Sequence, residues 1–390
     1  MSARGTAPGS QSSLREANVG LLLETVRRFG GITQVELVAA TGLSPATVST
    51  IVKNLLLAGV VDTRSTVRSG RRAQLVTLAR RTGLVIGLRV GRRSLEVLIT
   101  DVGYETVTSQ SLPLQEDHRP DTTLDRAALL VVELLAESGS ELAEVLSIGV
   151  ALPTPIDPET GGVRGRGVMR HWEGVEVATV LGARLGRPVV VDNYANLGAL
   201  GESRFGSARG RRDVVYVRSS YGVGAGVVVD GALLRGRGGT AGEIGHSLVD
   251  PSGPICQCGS RGCLNTVVGA EALIATLRVS HGPLALRDIV ALALEGDPGC
   301  RQVVSDAGTV IGTAVANLAV AVNPEVVVVG GELARTGELL VAGIRDAVER
   351  RTVLGPAGTV PVLIAELGDQ AEIRGALALA NDPERYGDGH

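Results

Sequence analysis

Apolar residues near the start of the chain fall at Val19, Leu22, Leu23, Val26 and Phe29, the three-to-four spacing of one helical face, and predict a helix over 17–29 that Gly30-Gly31 stops. A short helix is predicted over 34–40, with Thr33 as its N-cap and Glu36 three residues on, the spacing of a capping box. Thr41-Gly42-Leu43 reads as a tight turn. Ser44-Pro45 then opens a third helix, Ser as N-cap and Pro at the first position, where its missing N–H costs nothing. In that helix Val48, Ile51, Val52, Leu55 and Leu56 share a stripe, Ala46, Thr47, Ser49, Thr50, Lys53 and Asn54 fall largely elsewhere, and Ala58-Gly59 ends it. Val60-Val61-Asp62 and Leu75-Val76-Thr77-Leu78 read as short strands about a polar loop, a wing with Arg68, Arg71 and Arg72 near its tip.

Beyond residue 80 apolar, β-rich runs alternate with helical ones. Paired strands are predicted over 84–88 and 94–100, a helix over 124–137, strands over 145–151, 189–191, 214–218 and 224–229, a long small-residue helix over 303–322, and a buried strand over 326–329 ending in Gly330-Gly331. This is an α/β plan with glycine-rich loops after strands, long enough for two lobes about a cleft. The expected organisation is a disordered tail over 1–13, a DNA-binding module over 14–80 and a body over 81–385.

The first three helices form a helix-turn-helix pattern: a short helix, a turn containing glycine, and a capped second helix with small polar residues near its start, suited to a major groove. Thr47 and Thr50 suit a thymine methyl or base edge, Asn54 a base edge or phosphate, and Lys53, the chain's single lysine, a phosphate. Gln34, Ser44 and Ser49 complete the expected DNA-contacting set with the three wing arginines. Charge sharpens this picture. The 390 residues carry a formal net charge of −3, yet residues 1–80 hold ten basic residues against four acidic ones and the remainder 28 against 37. A basic module on an acidic body suggests that the module alone meets nucleic acid.

Four cysteines in 390 residues do not make a disulfide scaffold. Three of them, Cys256, Cys258 and Cys263, lie within eight residues, with Gly259 and Gly262 permitting a tight knuckle and His246 ten residues earlier. Three thiolates and an imidazole are the donor set of a closed, structural zinc site in the loop 243–265. Cys300 ends the turn-like run Asp297-Pro298-Gly299-Cys300 and reads as a spectator. No uninterrupted apolar run of membrane-spanning length and no secretory h-region appear, so a cytoplasmic protein without a membrane partner is expected.

The motifs Glu243-Ile244-Gly245-His246, the cysteine run 256–263, Val191-Asp192-Asn193-Tyr194-Ala195-Asn196 and Asn323-Pro324-Glu325 with Gly330-Gly331 resemble those of the ROK family of repressors, open reading frames and sugar kinases. The resemblance implies a pair of actin-like, ribonuclease-H-like α/β lobes, and the winged helix-turn-helix in front of them resembles the family's regulator branch. Two features of the kinases are altered. The Asp-x-Gly-Gly-Thr phosphate loop reads Arg89-Val90-Gly91-Arg92-Arg93, and the catalytic Asp that follows Asn in Asn-Asp-Ala-Asn is Tyr194, a phenol with a pKa near ~10 and a poor base at neutral pH. By resemblance Asn193, Glu243 and His246 match sugar-hydroxyl ligands, while the Glu that follows Gly-Cys-Leu is Asn265. The added arginines at 89, 92, 93, 164, 166 and 170 suggest an anionic sugar derivative as an alternative to a neutral sugar effector.

These readings converge on a transcriptional regulator, a repressor rather than an enzyme. It would bind a double-stranded DNA operator as a homodimer or dimer of dimers, with half-sites about 34 Å apart or a multiple of that. Its rivals are an active ATP-dependent sugar kinase bearing a DNA-binding module and a regulator that answers to no effector.

Overall fold

The computed structural model describes residues 11–68, 71–79, 83–164, 168–351 and 359–382. The head comprises helix α1 (Gln11–Phe29), the short strand β1 (Ile32–Thr33), helices α2 (Gln34–Thr41) and α3 (Pro45–Leu57), and the hairpin β2 (Val61–Arg68) with β3 (Arg71–Leu78). Strands run in the order β1-β3-β2. Residues 1–10 of the expected tail lie outside the described residues, and residues 11–13 belong to α1, which begins six positions before the predicted start. The predicted polar loop of the wing is mostly strand: pairing runs from Val61↔Leu78 to Arg68↔Arg71. Val61, Thr63 and Thr66 of β2 are β-branched residues that suit a strand.

The first lobe carries β4 (Leu84–Val90), β5 (Ser94–Asp101), β6 (Thr106–Pro113), α4 (Pro120–Glu137), β7 (Val145–Leu152), α5 (Val177–Leu185), β8 (Val189–Asn193) and α6 (Tyr194–Phe205). Its sheet order is β6-β5-β4-β7-β8. Pro120 at the first position of α4 starts that helix four residues before the predicted 124. One face of the sheet packs on α4 and α5 around Leu88, Leu130, Leu134, Ile148 and Trp172.

The second lobe carries β9 (Val214–Ser219), β10 (Val223–Val229), β11 (Ala232–Leu233), α7 (Asn265–Val268), α8 (Ala270–His281), α9 (Leu286–Glu295), α10 (Pro298–Val322), β12 (Val326–Gly330), α11 (Glu338–Arg351) and β13 (Val362–Ile364), in the sheet order β11-β10-β9-β12-β13. The last helix, α12 (Ala371–Ala380), returns to the first lobe and covers the other face of its sheet. It can do so because Gly87 and Gly149 leave room: a Cβ on Gly149 would strike the Ala376 carbonyl oxygen. Helix α6 crosses α12 just as closely at Gly201 and Gly375.

Helix α10 starts at Pro298, not at the predicted 303. Asp297 is its N-cap, its side chain accepting from the Cys300 N–H (2.8 Å), so the expected turn at 297–300 is a cap followed by a first helical turn. Cys300 is buried there beside His281, whose Nε2 lies 3.0 Å from Asp297 Oδ1. By length and composition α10 is apolar enough to cross a membrane, but half of its apolar stretch is buried, with Val304, Ile311 and Val315 in the core of the lobe.

Candidate DNA-reading face, metal cluster and interlobe cleft

The head is built from local signals. Thr33 N donates to Glu36 Oε2 (2.8 Å) and Glu36 N to Thr33 Oγ1 (3.3 Å), closing the capping box of α2. Gly42, at φ 68°, makes the turn, and α2 meets α3 at a bend of 118°, within the range for DNA-binding helix-turn-helix pairs. Ser44 Oγ accepts from Thr47 N (3.2 Å) and shares a hydrogen bond with Thr47 Oγ1 (2.8 Å), which half-buries Thr47. Val48, Ile51, Val52 and Leu55 are buried in the head's core. Ser44, Ser49, Thr50, Lys53 and Asn54 are exposed, and Gln34 sits half-buried at the first position of α2. Thr50 Oγ1 turns back to the Ala46 carbonyl (2.8 Å), leaving its methyl outward. Leu56, expected on the buried stripe, is 42% exposed: the stripe centres on Val48, Val52 and Leu55, and Leu56 lies beyond its edge. Arg68 and Arg71 face each other across the end of the hairpin and Arg72 pairs with Val67. The side chains of these three arginines lie outside the described residues.

In the second lobe a loop folds back on itself through two single bridges, Leu248↔Cys263 and Ile255↔Arg261, and gathers four donors. His246 Nδ1 lies 3.5 Å from Cys256 Sγ, and Cys258 Sγ lies 3.6 Å from Cys263 Sγ. All four ligand atoms fall within 4.8 Å of one another. A tetrahedral zinc with Zn–S of about 2.3 Å has sulfur–sulfur edges of about 3.8 Å, so the chemistry and the spacing of this set both fit that ion. Gly262, at φ 67°, is held against the Asp250 carbonyl, where a Cβ would collide. The far ring nitrogen of His246, Nε2, is 3.9 Å from Glu243 Oε2. Burial raises the Glu243 carboxyl and lowers the His246 imidazole relative to their ordinary values.

The cleft between the lobes is occupied by this chain's own side chains. Tyr194 opens α6, and its hydroxyl is buried with no hydrogen-bond partner among the described residues. That hydroxyl closes on Gly91, the glycine left in the altered loop: a Cβ there would come within 3.1 Å of it. Gly91 N donates to the Ser94 carbonyl (2.8 Å), and the Gly91 carbonyl accepts from His118 Nε2 (3.0 Å). Both backbone groups of Gly91 are therefore committed within the protein. Burial pushes the Tyr194 phenol well above its ordinary value, with the guanidiniums of Arg89 and Arg218 pulling back part of the rise. Arg218 lies 4.8 Å over the Tyr194 ring and bonds Glu372 Oε1 (2.6 Å). A buried phenol in this state accepts no proton from a sugar hydroxyl near neutral pH.

The arginines that suggested an anionic effector mostly have carboxylate partners. Arg89 donates from Nε (2.9 Å) and Nη2 (2.6 Å) to Glu96 Oε2, Arg92 and Arg93 share Glu116 (2.8 and 2.7 Å), and Arg164 Nε bonds Asp157 (2.9 Å). Arg170 is exposed, and Arg166 lies outside the described residues.

The four expected effector contacts are not alike. Asn193 caps α6, its Oδ1 accepting from Asn196 N (2.8 Å), and Asn265 Oδ1 accepts from Val223 N (2.7 Å), so both amides brace backbone. Glu243 and His246 are partly open, with side-chain exposures of 30% and 37%. Sequence reasoning missed Asp192, which accepts from Asn196 Nδ2 (2.8 Å) on one oxygen and from Arg235 Nε (2.7 Å) of the second lobe on the other. The two residues stand 43 apart in the chain, and no local spacing marks such a pair. Beside them a cavity of about 200 Å³ is lined by Ile156, Asp157, Ala178, Val191, Asp192 and Arg235 among others.

Residues 85–383 match the ROK family and residues 17–72 match the MarR family. The chain is 27% identical over 393 residues to the xylose repressor of Caldicellulosiruptor bescii, covering 95% of this chain and 97% of that one. It is 27% identical over 395 residues to the DNA-binding transcriptional repressor Mlc of Escherichia coli, covering 96% and 95%. Among solved structures, a ROK family transcriptional regulator described as a homologue of E. coli Mlc superposes with a TM-score of 0.72 at 25% identity, covering 94% of this chain and 96% of its own. A ROK hexokinase from Thermus thermophilus superposes with a TM-score of 0.65 at 29% identity, covering 78% of this chain and all of its own.

Proposed function

The chain belongs to the ROK family, and from that premise we propose that it is a sequence-specific DNA-binding transcriptional repressor whose kinase-like body serves as effector sensor and dimerisation module. The observation that carries the reading is the likeness along nearly the whole chain to repressors, together with a MarR-type head that leaves the polar face of α3 open. In this reading residues 14–80 bind the operator and 81–385 form the body. Ser49, Thr50, Lys53 and Asn54 enter the major groove, with Thr47 at its edge. Gln34 and Ser44 stand where phosphates run, and Arg68, Arg71 and Arg72 meet phosphate beside it.

The body performs no phosphoryl transfer. The buried Tyr194 phenol stands where a kinase needs a carboxylate base, and Gly91 has no free N–H to cradle phosphate. The effector is a neutral sugar taken by Glu243 and His246. Asn193 and Asn265 support that pocket through the backbone they brace, and the pairing of the cleft arginines removes the motive for an anionic ligand. Zinc held by His246, Cys256, Cys258 and Cys263 fixes the loop that carries Glu243, a structural role with no chemistry of its own. The working form is a cytoplasmic homodimer.

Selection of bound duplexes from a random library tests the reading. The wild type should enrich a two-fold-related motif. The double variant Arg71→Ala, Arg72→Ala should weaken binding to every sequence and flatten the log–log salt slope by about 2, near 0.9 per phosphate contact. An unenriched library would remove the DNA-binding reading, and an unchanged slope would remove the wing contacts.

A further inference from the structure

Helix α6 has different neighbours at its two ends. Its first turn stands in the cleft, where Asn193 caps it and Asn196 holds Asp192, the residue that Arg235 of the second lobe reaches at 2.7 Å. Its last turn and the residues just beyond it touch the head. Arg209 Nη2 donates to the Gly31 carbonyl (2.9 Å) and Arg204 Nη1 to the Arg28 carbonyl (3.4 Å). The Phe205 ring stands edge-on to the Tyr104 ring with centroids 4.8 Å apart, and the Tyr104 ring lies against Gly30, where a Cβ would strike it.

The Arg28 carbonyl is among the last of α1, which have no partner within the helix, and a guanidinium there completes its hydrogen bonds and complements the negative end of the helix dipole; the Gly31 carbonyl lies two residues beyond the helix, in the turn into β1. The joint therefore adds directional contacts to the apolar cluster that head and body share, and those contacts fix the angle at which the head sits. Between its ends α6 has little freedom. Every residue from Tyr194 to Glu202 is buried, and the helix crosses α12 at two glycines with backbone against side-chain position. Twelve residues span about 18 Å, so a tilt imposed at the cleft reappears at the joint.

We propose that Arg209 is a positioning residue that sets the angle of the DNA-reading head on the body, and that α6 carries to it the state of the Asp192–Arg235 contact between the lobes. The first half rests on the reading of the chain as a DNA-binding regulator, since head angle matters through the distance between two heads on one duplex. The second half concerns the protein alone and is read without DNA.

Two measurements on the full-length chain test it. In hydrogen exchange without DNA, Arg235→Ala, which breaks the interlobe contact and removes none of the hydrogen bonds of Arg204 and Arg209 to the head, should speed exchange of the amides around Phe29 to Thr33 roughly tenfold. Unchanged exchange there would overturn the coupling through α6. In duplex selection, the wild type should enrich half-sites at one dominant spacing. Arg209→Ala should broaden that spacing and cost about tenfold in affinity for the paired site, with affinity for an isolated half-site unchanged. Arg209→Lys, which keeps one donor to the Gly31 carbonyl, should restore most of both. If the wild type enriches a motif and Arg209→Ala keeps the same spacing and the same ratio of paired-site to half-site affinity, Arg209 does not position the head. If the wild type enriches nothing, the DNA-binding reading fails and takes the positioning role with it, while the exchange result still decides the coupling.

Discussion

Single side chains decide what the cleft can do. Tyr194 fills the space over Gly91, and Arg89 at the end of β4 is matched by Glu96 on the neighbouring strand. Arg92 and Arg93 are matched by Glu116. A cation left alone in a partly buried site is costly, so Arg89 needs its partner, whereas the more exposed pairs of Arg92 and Arg93 with Glu116 contribute little. The cysteines show the opposite case, donors gathered where a cation would fit. Burial raises the Cys263 thiol, and a bound dication reverses that preference by stabilising the thiolate. Replacing one ligand should therefore cost metal and stability together. Cys258→Ser should lower the zinc content, measured with a metal chromophore, and lower the unfolding temperature by roughly 5 °C or more, each kcal/mol being worth about 2–4 °C in a domain this size. Full metallation at unchanged stability would remove Cys258 from the ligand set.

At the scale of elements, the parts with local signals were legible. The capping box at Thr33 and Glu36, the Ser44-Pro45 start of α3 and the short apolar runs of both sheets each depend on residues a few positions apart. Helix starts were read late at α1, α4 and α10, because apolar periodicity begins only where a helix meets the core, whereas Pro120 and Asp297-Pro298 start it earlier. The glycines gave no such signal. Gly87 and Gly149 look like weak points in strands, yet they are where α12 lies on the sheet. Gly149→Ala should force that helix away from the sheet and destabilise the first lobe by about 1–3 kcal/mol in denaturant unfolding. An alanine variant of native stability would mean that the helix docks elsewhere.

At the scale of the molecule, the head and body share one apolar seam. Leu22, Val26 and Leu37 of the head belong to the same cluster as Val85, Leu98, Ile373 and Leu377 of the body, and Arg64 reaches Glu105 at 2.8 Å from the root of the wing. The exposed ion pair contributes little, the apolar cluster much more. A body so closed at its cleft should not turn over ATP. A coupled ATP-consumption assay with a panel of hexoses should stay at background, since loss of the base alone costs about 10²–10⁴ in rate and Gly91 offers phosphate no free N–H. Turnover at kinase-like rates would restore the enzyme reading.

By itself the sequence determined the helix-turn-helix, the wing and the gathering of His246 and three cysteines in one loop, because caps, periods and close spacings act within a turn or a hairpin. It did not determine where the charges of Arg89, Arg92 and Arg93 went, that the amides of Asn193 and Asn265 were already committed to backbone, or how the head meets the body. Those depend on pairs such as Arg235 with Asp192, Arg218 with Glu372 and Arg209 with Gly31, separated by 43, 154 and 178 residues. A charge or a carbonyl carries no local mark of its distant partner, and only the folded chain brings the two within hydrogen-bond reach.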